Sequence, residues 1–457
     1  MRIFPQSDRR PVQYFLGPFT RFIQLESSSS IVLLLATITA LLLANSRLQP
    51  AYEAMLHLPI GEHAGGASFQ LTLHDWVNDA LMAIFFLVVG LEVKRELVIG
   101  ELASFRRAFL PVLGAIGGVI TPALIYFVLN VHGADVRGWG IPVATDIAFS
   151  LAVLKLFGSR IPIGLKIFLA SLAIVDDIAG VLIIAVAYTR QLHLGYLVLV
   201  ALLFLLCLFL NRLGVTRLSV YMAVGVVLWW AFRASGLHPT LSGVLLALAI
   251  PSRTFIPPAS FLDRGRVRLQ QFEEAVQRFG PQSHDVREPL HRLRLGLEWA
   301  ESPLDRLQSA LHPWVSFGIM PLFALTNAGI SLRNFHPGEM LHPVFLGIFA
   351  GLVLGKPLGI TVFSWLAVRL RLAELPAGVR WIDLHAVAWL GGIGFTVSIF
   401  IAGLAFVTDE RYTMARIAVL AASFCAAAIG AGLLASTRKH AQASLSDDLR
   451  QDEMPAR

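Results

Sequence analysis

The sequence predicts an all-α, polytopic membrane protein with about twelve transmembrane helices. The first observation behind this prediction is composition, since 56% of the 457 residues are hydrophobic and only 15% are charged, against roughly 25% charged in an average soluble protein. The second is the regular recurrence of apolar segments along the chain, and the third is a set of ionisable side chains in the middle of some of these segments.

The apolar segments have the length that a membrane requires, because a hydrocarbon core of about 30 Å takes about 20 helical residues. The predicted spans are centred near residues 38, 86, 119, 149, 177, 203, 226, 245, 323, 355, 395 and 425. Glycine and proline interrupt two of them, in GWGIP at 138–142 and in GGIG at 391–394. Breaks at matching depth in two halves of a membrane protein mark a binding site, although close helix packing explains any single glycine equally well.

Basic residues alternate between the loops in a pattern that predicts orientation. The N-terminal tail, the even-numbered loops and the C-terminal tail are rich in arginine and lysine, and loop 252–313 carries nine arginines. The odd-numbered loops carry about one arginine each. Because basic loops remain in the cytoplasm, we expect a multi-pass membrane protein with both termini cytoplasmic. The net charge of +7 is thereby explained without nucleic acid as a partner.

We expect a single membrane domain over residues 1–437. Within it, the long cytoplasmic loop 252–313 has charged, helix-compatible patterns that predict amphipathic helices at the inner membrane surface. A solvated regulatory loop is an equally good interpretation of that segment. The polar stretch 438–457 is expected to be a disordered cytoplasmic tail.

The chain also contains a candidate β-hairpin and two cysteines. Short alternating segments on both sides of Gly65 and Gly66 predict an external β-hairpin over residues 58–73. Cys207 and Cys425 both lie in apolar spans, so the sequence indicates neither a disulfide framework nor a cysteine metal site.

Four ionisable residues are predicted to lie at one depth, near the bilayer midplane. Asp176 and Asp177 lie within the run LASLAIVDDIAGVLIIAVAY, and Asp146 and Lys356 lie at a similar depth in two other spans. A charge at that depth costs at least about 2.5–3.5 kcal/mol on insertion scales, so its presence indicates function. Three carboxylates and one ammonium sum to a charge of −2, which predicts that the site takes up protons or a cation.

The residue types around these charges indicate which cation fits. Adjacent helical residues point about 100° apart, so one of Asp176 and Asp177 is expected to contact the ion while the other meets Lys356. Thr145, beside Asp146, adds a hydroxyl oxygen to the carboxylates, and such oxygen ligands suit Na+ or Li+. Asp146 is placed to offset the N-terminal ends of broken helices, and Lys356 the C-terminal ends.

Long motifs run through nearly the whole chain: NDALMAIFFLVVGLEVKREL, PVATDIAFSLAVL, LASLAIVDDIAGVLIIA, GLHPTLSGV, LHPWVSFGIMPLFALTNAGISL, GKPLGI and GGIGFTVSIFIAGLAF. In these motifs the chain resembles the NhaA-type Na+/H+ antiporters. The resemblance implies a twelve-helix fold with an inverted repeat, two discontinuous helices crossing at midplane, and a homodimer aided by the external hairpin. It also implies electrogenic exchange of sodium for protons, without a cofactor, across a bacterial inner membrane.

Site residues are carried over from the family motif by motif. The resemblance implies that Asp177 is the central Na+ ligand and that Asp176 is the second Na+ ligand, linked to protons and paired with Lys356. Asp146 and Thr145 match the family's broken-helix position. These five residues form the expected ion and proton site.

The resemblance also implies a pH-sensing group. Glu92, Lys94, Arg95 and Glu96 in LEVKREL match the family's cytoplasmic charge cluster, and His238 in GLHPTLSG matches a histidine associated with pH response. A charged helix end and a satisfied polar histidine are the simpler explanations of the same residues.

The sequence departs from the family pattern beside this group. Gln308 and Ser309 stand where an acidic residue and a histidine are expected, loop 252–313 is unusually long, and the polar tail is an addition. These differences affect the expected pH regulation rather than the expected exchange.

Two other classes of protein, an intramembrane enzyme and a sodium-coupled symporter, fit the sequence less well than an antiporter. A membrane aspartyl protease needs a GxGD motif and a prenyltransferase needs a third acid after the aspartate pair, and the sequence has neither. A sodium-coupled symporter of an organic solute is the nearer rival, but Lys356 beside the aspartate pair favours proton coupling. We therefore expect a non-enzymatic, secondary active Na+(Li+)/H+ antiporter that extrudes sodium and controls intracellular pH and sodium, with one helix bundle moving against the other around Asp177.

Overall fold

The computed structural model describes residues 28–452 except 61–62, 65–66, 69–70, 132, 159–160, 190–191, 254–257, 281–287, 289–300, 334–335 and 407. Most of the described residues are helical. Lipid offers no hydrogen-bond partner to backbone amides, so a chain that crosses a membrane satisfies them within its own helices. The predicted all-α class is confirmed.

The helices follow the predicted apolar segments in order. They are α1 (Ser28–Asn45), α2 (Gln49–Leu56), α3 (Leu73–Val98), α4 (Phe105–Asn130), α5 (Ile147–Leu156), α6 (Ile163–Ala187), α7 (Leu194–Arg212), α8 (Leu218–Ser235), α9 (Leu241–Ala249), α10 (Pro258–Phe279), α11 (Pro303–Trp314), α12 (Met320–Asn327), α13 (Pro343–Arg369), α14 (Trp381–Gly391), α15 (Phe395–Ala405) and α16 (Asp409–Asp452). Short 3-10 segments lie at Glu101–Ala103, Ala134–Val143 and Pro337–Leu341, and π-helical turns at Trp76–Leu81, Val315–Ile319 and Gly351–Gly355.

Ten of the predicted spans have a counterpart that can cross a membrane. Among the described residues, 9 segments are long and apolar enough, and the bent pair α14 and α15 makes a tenth. The span predicted near residue 245 is α9, whose 9 residues cover only about 13 Å. The span predicted near residue 323 is α12, which continues from the charged helix α11 through a π-helical turn. The charges of α11 make this continuous helix less apolar than a typical span. The count of twelve stays a prediction.

Two spans are broken in the middle. The fourth consists of the 3-10 segment Ala134–Val143, an extended link over residues 144–146, and helix α5. In the other, α14 and α15 meet at a 45° bend across residues 392–394. The predicted discontinuous helices are therefore confirmed, and the breaks fall at the glycine- and proline-rich positions.

The described chain divides into two compact units. The first comprises residues up to Met82, 101–189 and 316 onward, and it contains both broken spans. Its two long helices α4 and α13 cross at Gly117 and Gly359, where a Cβ on either glycine would clash with the backbone of the other helix. This close approach holds the midpoint of α13, and with it Lys356, beside the broken spans.

The second unit comprises residues 83–100 and 190–315. In it, α7 and α8 pack against each other and α9 packs against both. Helix α10 occupies the first amphipathic stretch predicted in loop 252–313, whereas residues 289–300 of the second stretch lie outside the described residues. The loop's boundaries and its place at the inner surface stay predictions.

The predicted hairpin is present as two short antiparallel pairs. Residues Pro59–Ile60 (β1) pair with Leu71–Thr72 (β4), and His63–Ala64 (β2) pair with Ala67–Ser68 (β3). The Gly65-Gly66 turn itself lies outside the described residues. At the other end of the chain, α16 reaches Asp452 and so runs into the polar tail, whose predicted disorder stays a prediction.

Candidate functional site

The two breaks lie against each other. The backbone N–H of Asp146 donates to the carbonyl of Ile393 (2.6 Å), which lies in the break between α14 and α15. Carbonyls at the C-terminal end of α14 are also satisfied from the fourth span, because Ser150 Oγ donates to Leu390 O (2.7 Å) and Thr145 Oγ1 lies 2.8 Å from Gly391 O. Helix ends inside a membrane need such partners, so each break satisfies the polar groups that the other exposes.

Asp146 caps both half-helices that begin at the breaks. One carboxylate oxygen accepts from the backbone N–H of Phe149 in α5 (3.1 Å). The other accepts from the backbone N–H (3.2 Å) and the hydroxyl of Thr396 in α15. A helix N-terminus carries about half a positive charge. Two N-termini therefore offset the charge of Asp146, which is only 1% exposed.

Lys356 contacts the C-terminal end of a half-helix and one carboxylate. Its Nζ lies 3.0 Å from Oδ2 of Asp176, and both side chains are fully buried. It also donates to the carbonyl of Val143, the last residue of the first half of the fourth span. Lys356 directly follows the π-helical turn Gly351–Gly355, and such a turn changes the direction of the side chains that follow it.

Asp176 and Asp177 share the unbroken helix α6. Thr145 Oγ1 lies 2.6 Å from Asp176 Oδ2, whereas Asp176 Oδ1 has no hydrogen-bond partner among the described residues. Asp177 is 7% exposed and acts electrostatically on Lys356. The structure thus brings together the five residues that the sequence proposed.

The charge of this site is negative. Three buried carboxylates and one buried ammonium sum to −2, and the helix N-termini at Asp146 offset about one unit of it. The ligand atoms are carboxylate, hydroxyl and carbonyl oxygens, which suit a small hard cation. A proton or a Na+ ion is the charge that this arrangement can accept.

The five proposed pH-sensing residues all lie in the second unit, but they do not form one cluster. Lys94 Nζ donates to the carbonyls of Leu248 (2.7 Å) and Ile250 (2.5 Å) at the C-terminal end of α9. His238 contacts Thr240 Oγ1 (2.8 Å) just before the other end of α9, a helix length of about 13 Å away.

The remaining members of that set lie on α3 with Lys94. Arg95 forms an ion pair with Asp305 (3.5 Å), which is also in the second unit. Glu92 and Glu96 lie one turn apart on the same helix and repel each other. Gln308, one of the departures from the family pattern, has a buried Oε1 without a hydrogen-bond partner in the described part of the chain.

Sequence reasoning missed the hydroxyl residues that hold the breaks. Besides Thr396 and Ser150, Ser398 donates from α15 to the carbonyl of Ile141 (2.8 Å). The available signal is their position, because each lies within five residues of a break in a segment that is otherwise apolar.

We expect Thr396→Val to destabilise the protein. The change keeps the shape of the side chain but removes the hydroxyl that donates to Asp146, and a hydrogen bond to a charged group contributes about 1.5–3 kcal/mol. Thermal unfolding in detergent measures the loss. Thr37→Val is the matched control, since this buried hydroxyl donates within its own helix, to Leu33 O (2.8 Å). Equal stability of Thr396→Val and wild type would contradict the capping role.

A buried ion site at the crossing of two broken helices, in a multi-pass membrane protein, defines a secondary active transporter. The family described as Na+/H+ antiporter 1 matches residues 20–434. The chain belongs to this family.

Similar proteins support the same family membership. The Na+/H+ antiporter NhaA of Oleidesulfovibrio alaskensis is 46% identical over 92% of this chain and 94% of its own. The corresponding antiporter of Koribacter versatilis is 45% identical over 93% of this chain and 92% of its own. The Na+/H+ antiporter NhaA 2 of Sorangium cellulosum is 44% identical over 95% of this chain and 96% of its own. The resemblance drawn from the motifs is confirmed. The prediction of a transporter rather than an enzyme is confirmed as well.

Proposed function

We propose that this protein is a secondary active antiporter that exchanges Na+ or Li+ for protons, extrudes sodium and thereby controls intracellular pH and sodium. The observation that carries the proposal is the buried group of three carboxylates and one ammonium at the crossing of the two breaks. Its net charge of −2 and its oxygen ligands suit either a small cation or protons. Family membership supports the same exchange.

Exchange follows from competition for the same oxygens. Na+ bound at Asp176 and Asp177 neutralises the charge that protons otherwise neutralise, so the two kinds of cargo exclude each other. We propose Asp177 as the central ligand and Asp176 as the proton-linked ligand, because Asp176 is the carboxylate in contact with Lys356 (3.0 Å). Either cargo stabilises the conformation in which it is bound, and this differential binding is what shifts an alternating-access equilibrium.

The other residues of the site have a supporting role in this proposal. Asp146 and Lys356 compensate the helix ends at the breaks, so the crossing remains intact while the charge of the ligands changes. Thr145 contacts both Asp176 and the Gly391 carbonyl, and it thereby links the ion ligands to the end of α14.

The wider assignments extend the same proposal. We propose electrogenic exchange in a bacterial inner membrane, as family membership suggests. We propose that both termini are cytoplasmic, because the basic residues concentrate in the tails and even-numbered loops. We further propose a homodimer in which the 58–73 hairpin takes part. Glu92, Lys94, Arg95, Glu96 and His238 are the proposed pH-sensing residues.

Exchange in everted membrane vesicles tests the function. The protein is expressed in bacteria that lack their own antiporters, and a fluorescent dye follows the respiration-driven pH gradient. We expect added NaCl or LiCl to collapse the gradient and KCl at equal ionic strength to have less effect. If Na+ leaves the gradient intact in well-expressed protein, the antiporter is contradicted and a sodium-coupled solute symporter becomes the better explanation.

A further inference from the structure

A cavity that contains none of the site aspartates in its lining lies in the first unit. It has a volume of about 460 Å³ and lies between the N-terminal ends of α4 and α6 and the segment that follows α13. Three of its lining residues are arginines, namely Arg106, Arg107 and Arg371. The mechanism of exchange uses none of these side chains.

The cavity has a net positive charge, because its lining holds more arginines than acidic residues. Glu101 forms an ion pair with Arg107 (3.6 Å), and Glu374 is the second acid of the lining. Arg106 and Arg371 form no ion pair within the part of the chain that the structure describes. Three arginines and two glutamates leave a net charge of +1.

Two helix N-termini increase this positive charge. Neither α4 nor α6 has a side-chain cap or an acidic residue in its first turn. Arg106 and Arg107 instead stand in the first turn of α4, where a positive side chain opposes the helix dipole. Glu101 compensates Arg107, whereas no ion pair compensates Arg106 within the described residues, and an unfavourable local choice of this kind is a sign of function.

A serine hydroxyl lies at the wall of the cavity. Ser171 is only 3% exposed, lines the cavity two turns into α6, and has no hydrogen-bond partner among the described residues. The Ser171 hydroxyl faces the cavity and can donate a hydrogen bond to an acceptor atom of a bound ligand. The surrounding positive charge makes this ligand an anion and argues against an access route for Na+.

We infer that this cavity is a binding site for a phosphate group. Guanidinium groups match phosphate oxygens in geometry and charge, and uncapped helix N-termini bind phosphate with their free N–H groups. Large apolar side chains are exposed next to the mouth, among them Phe105 (85%), Ile163 (73%) and Leu372 (47%), as a headgroup site at a membrane surface requires. The phosphate belongs either to an anionic phospholipid or to a soluble anion.

The test measures binding by thermal stability and does not depend on transport. Purified protein is unfolded in nanodiscs of phosphatidylcholine alone or mixed equally with phosphatidylglycerol, and separately in detergent with sodium phosphate or sodium chloride at equal ionic strength. We expect phosphatidylglycerol to raise the Tm of the wild type by about 2–5 °C. We expect the variant Arg106→Gln/Arg371→Gly to lose at least half of this rise.

The variants are chosen so that folding does not limit the test. Arg371 has a φ of 57°, just after the end of α13, and this left-handed position favours glycine. Arg371→Gly therefore removes the guanidinium without straining the helix end. Arg369→Gln is the matched control, because it removes a charge from the same helix end but does not line the cavity.

Every outcome decides the question. A rise with phosphatidylglycerol alone that the double variant loses assigns the site to a lipid. A comparable rise with sodium phosphate assigns it to a soluble anion. If neither probe distinguishes the double variant from the wild type and from Arg369→Gln, there is no phosphate site in this cavity.

Discussion

Asp177→Asn is expected to abolish exchange between Na+ and protons. The amide keeps the size of the side chain but removes one of the charges that attract the cation, and it can no longer take up the proton. Attraction between unit charges 4 Å apart is about 4 kcal/mol at an effective dielectric constant of 20, so we expect the apparent affinity for Na+ to fall at least ~100-fold. The measurement is the collapse of the pH gradient in everted vesicles across a range of Na+ concentrations.

Asp383→Asn is the matched control for this change. Asp383 is as deeply buried as the site carboxylates, at 1% exposure, but it forms an ion pair with Arg380 (3.0 Å) at the start of α14. We expect this variant to retain exchange when expression is equal. Exchange by Asp177→Asn at wild-type Na+ concentrations would show that Asp177 is not the central ligand.

Lys356→Met is expected to destabilise the protein strongly, and Asp176→Asn is expected to restore part of that stability. Removal of one partner from a buried ion pair leaves an uncompensated charge, which costs about 3–5 kcal/mol. In the double variant the amide that replaces the Asp176 carboxylate carries no charge, so most of that cost disappears. The contact between Lys356 and the Val143 carbonyl stays lost, so recovery is expected to be incomplete.

Thermal unfolding of the wild type, the two single variants and the double variant forms a double-mutant cycle. The coupling energy from this cycle isolates the interaction between the two side chains. If the double variant is no more stable than Lys356→Met, then Asp176 is not the partner whose charge Lys356 compensates.

Much of this site was accessible from spacing alone. Because a helix rises about 1.5 Å per residue, the distance of a charged residue from the basic end of its span gives its depth in the membrane. That simple relation placed Asp146, Asp176, Asp177 and Lys356 at one level, where a packed protein must bring them together or leave charges in lipid. The glycine- and proline-rich breaks were visible for the same reason, since they interrupt apolar runs.

The hydrogen bonds that organise the site were not accessible in this way. Thr396 donates to Asp146 from 250 positions further along the chain, and Lys356 donates to a carbonyl 213 positions away. No local pattern specifies such pairs, because Thr396 and Ser398 have ordinary neighbours in a helical apolar segment. The failure of α9 to form a full span has a similar origin, since its apolar composition does not show that its helix ends after only 9 residues.

The sequence by itself determined the membrane environment, the all-α class and the family to which the chain belongs, and it predicted that the four charges lie at one level. These properties follow from composition and from distances along a single helix, which the chain carries locally. Only the tertiary structure decided that Asp146 caps two half-helices at once, that Lys356 contacts Asp176, and that three arginines surround a separate cavity. Each of these depends on which helices cross and at which residue, and crossing is set by packing between segments far apart in the chain.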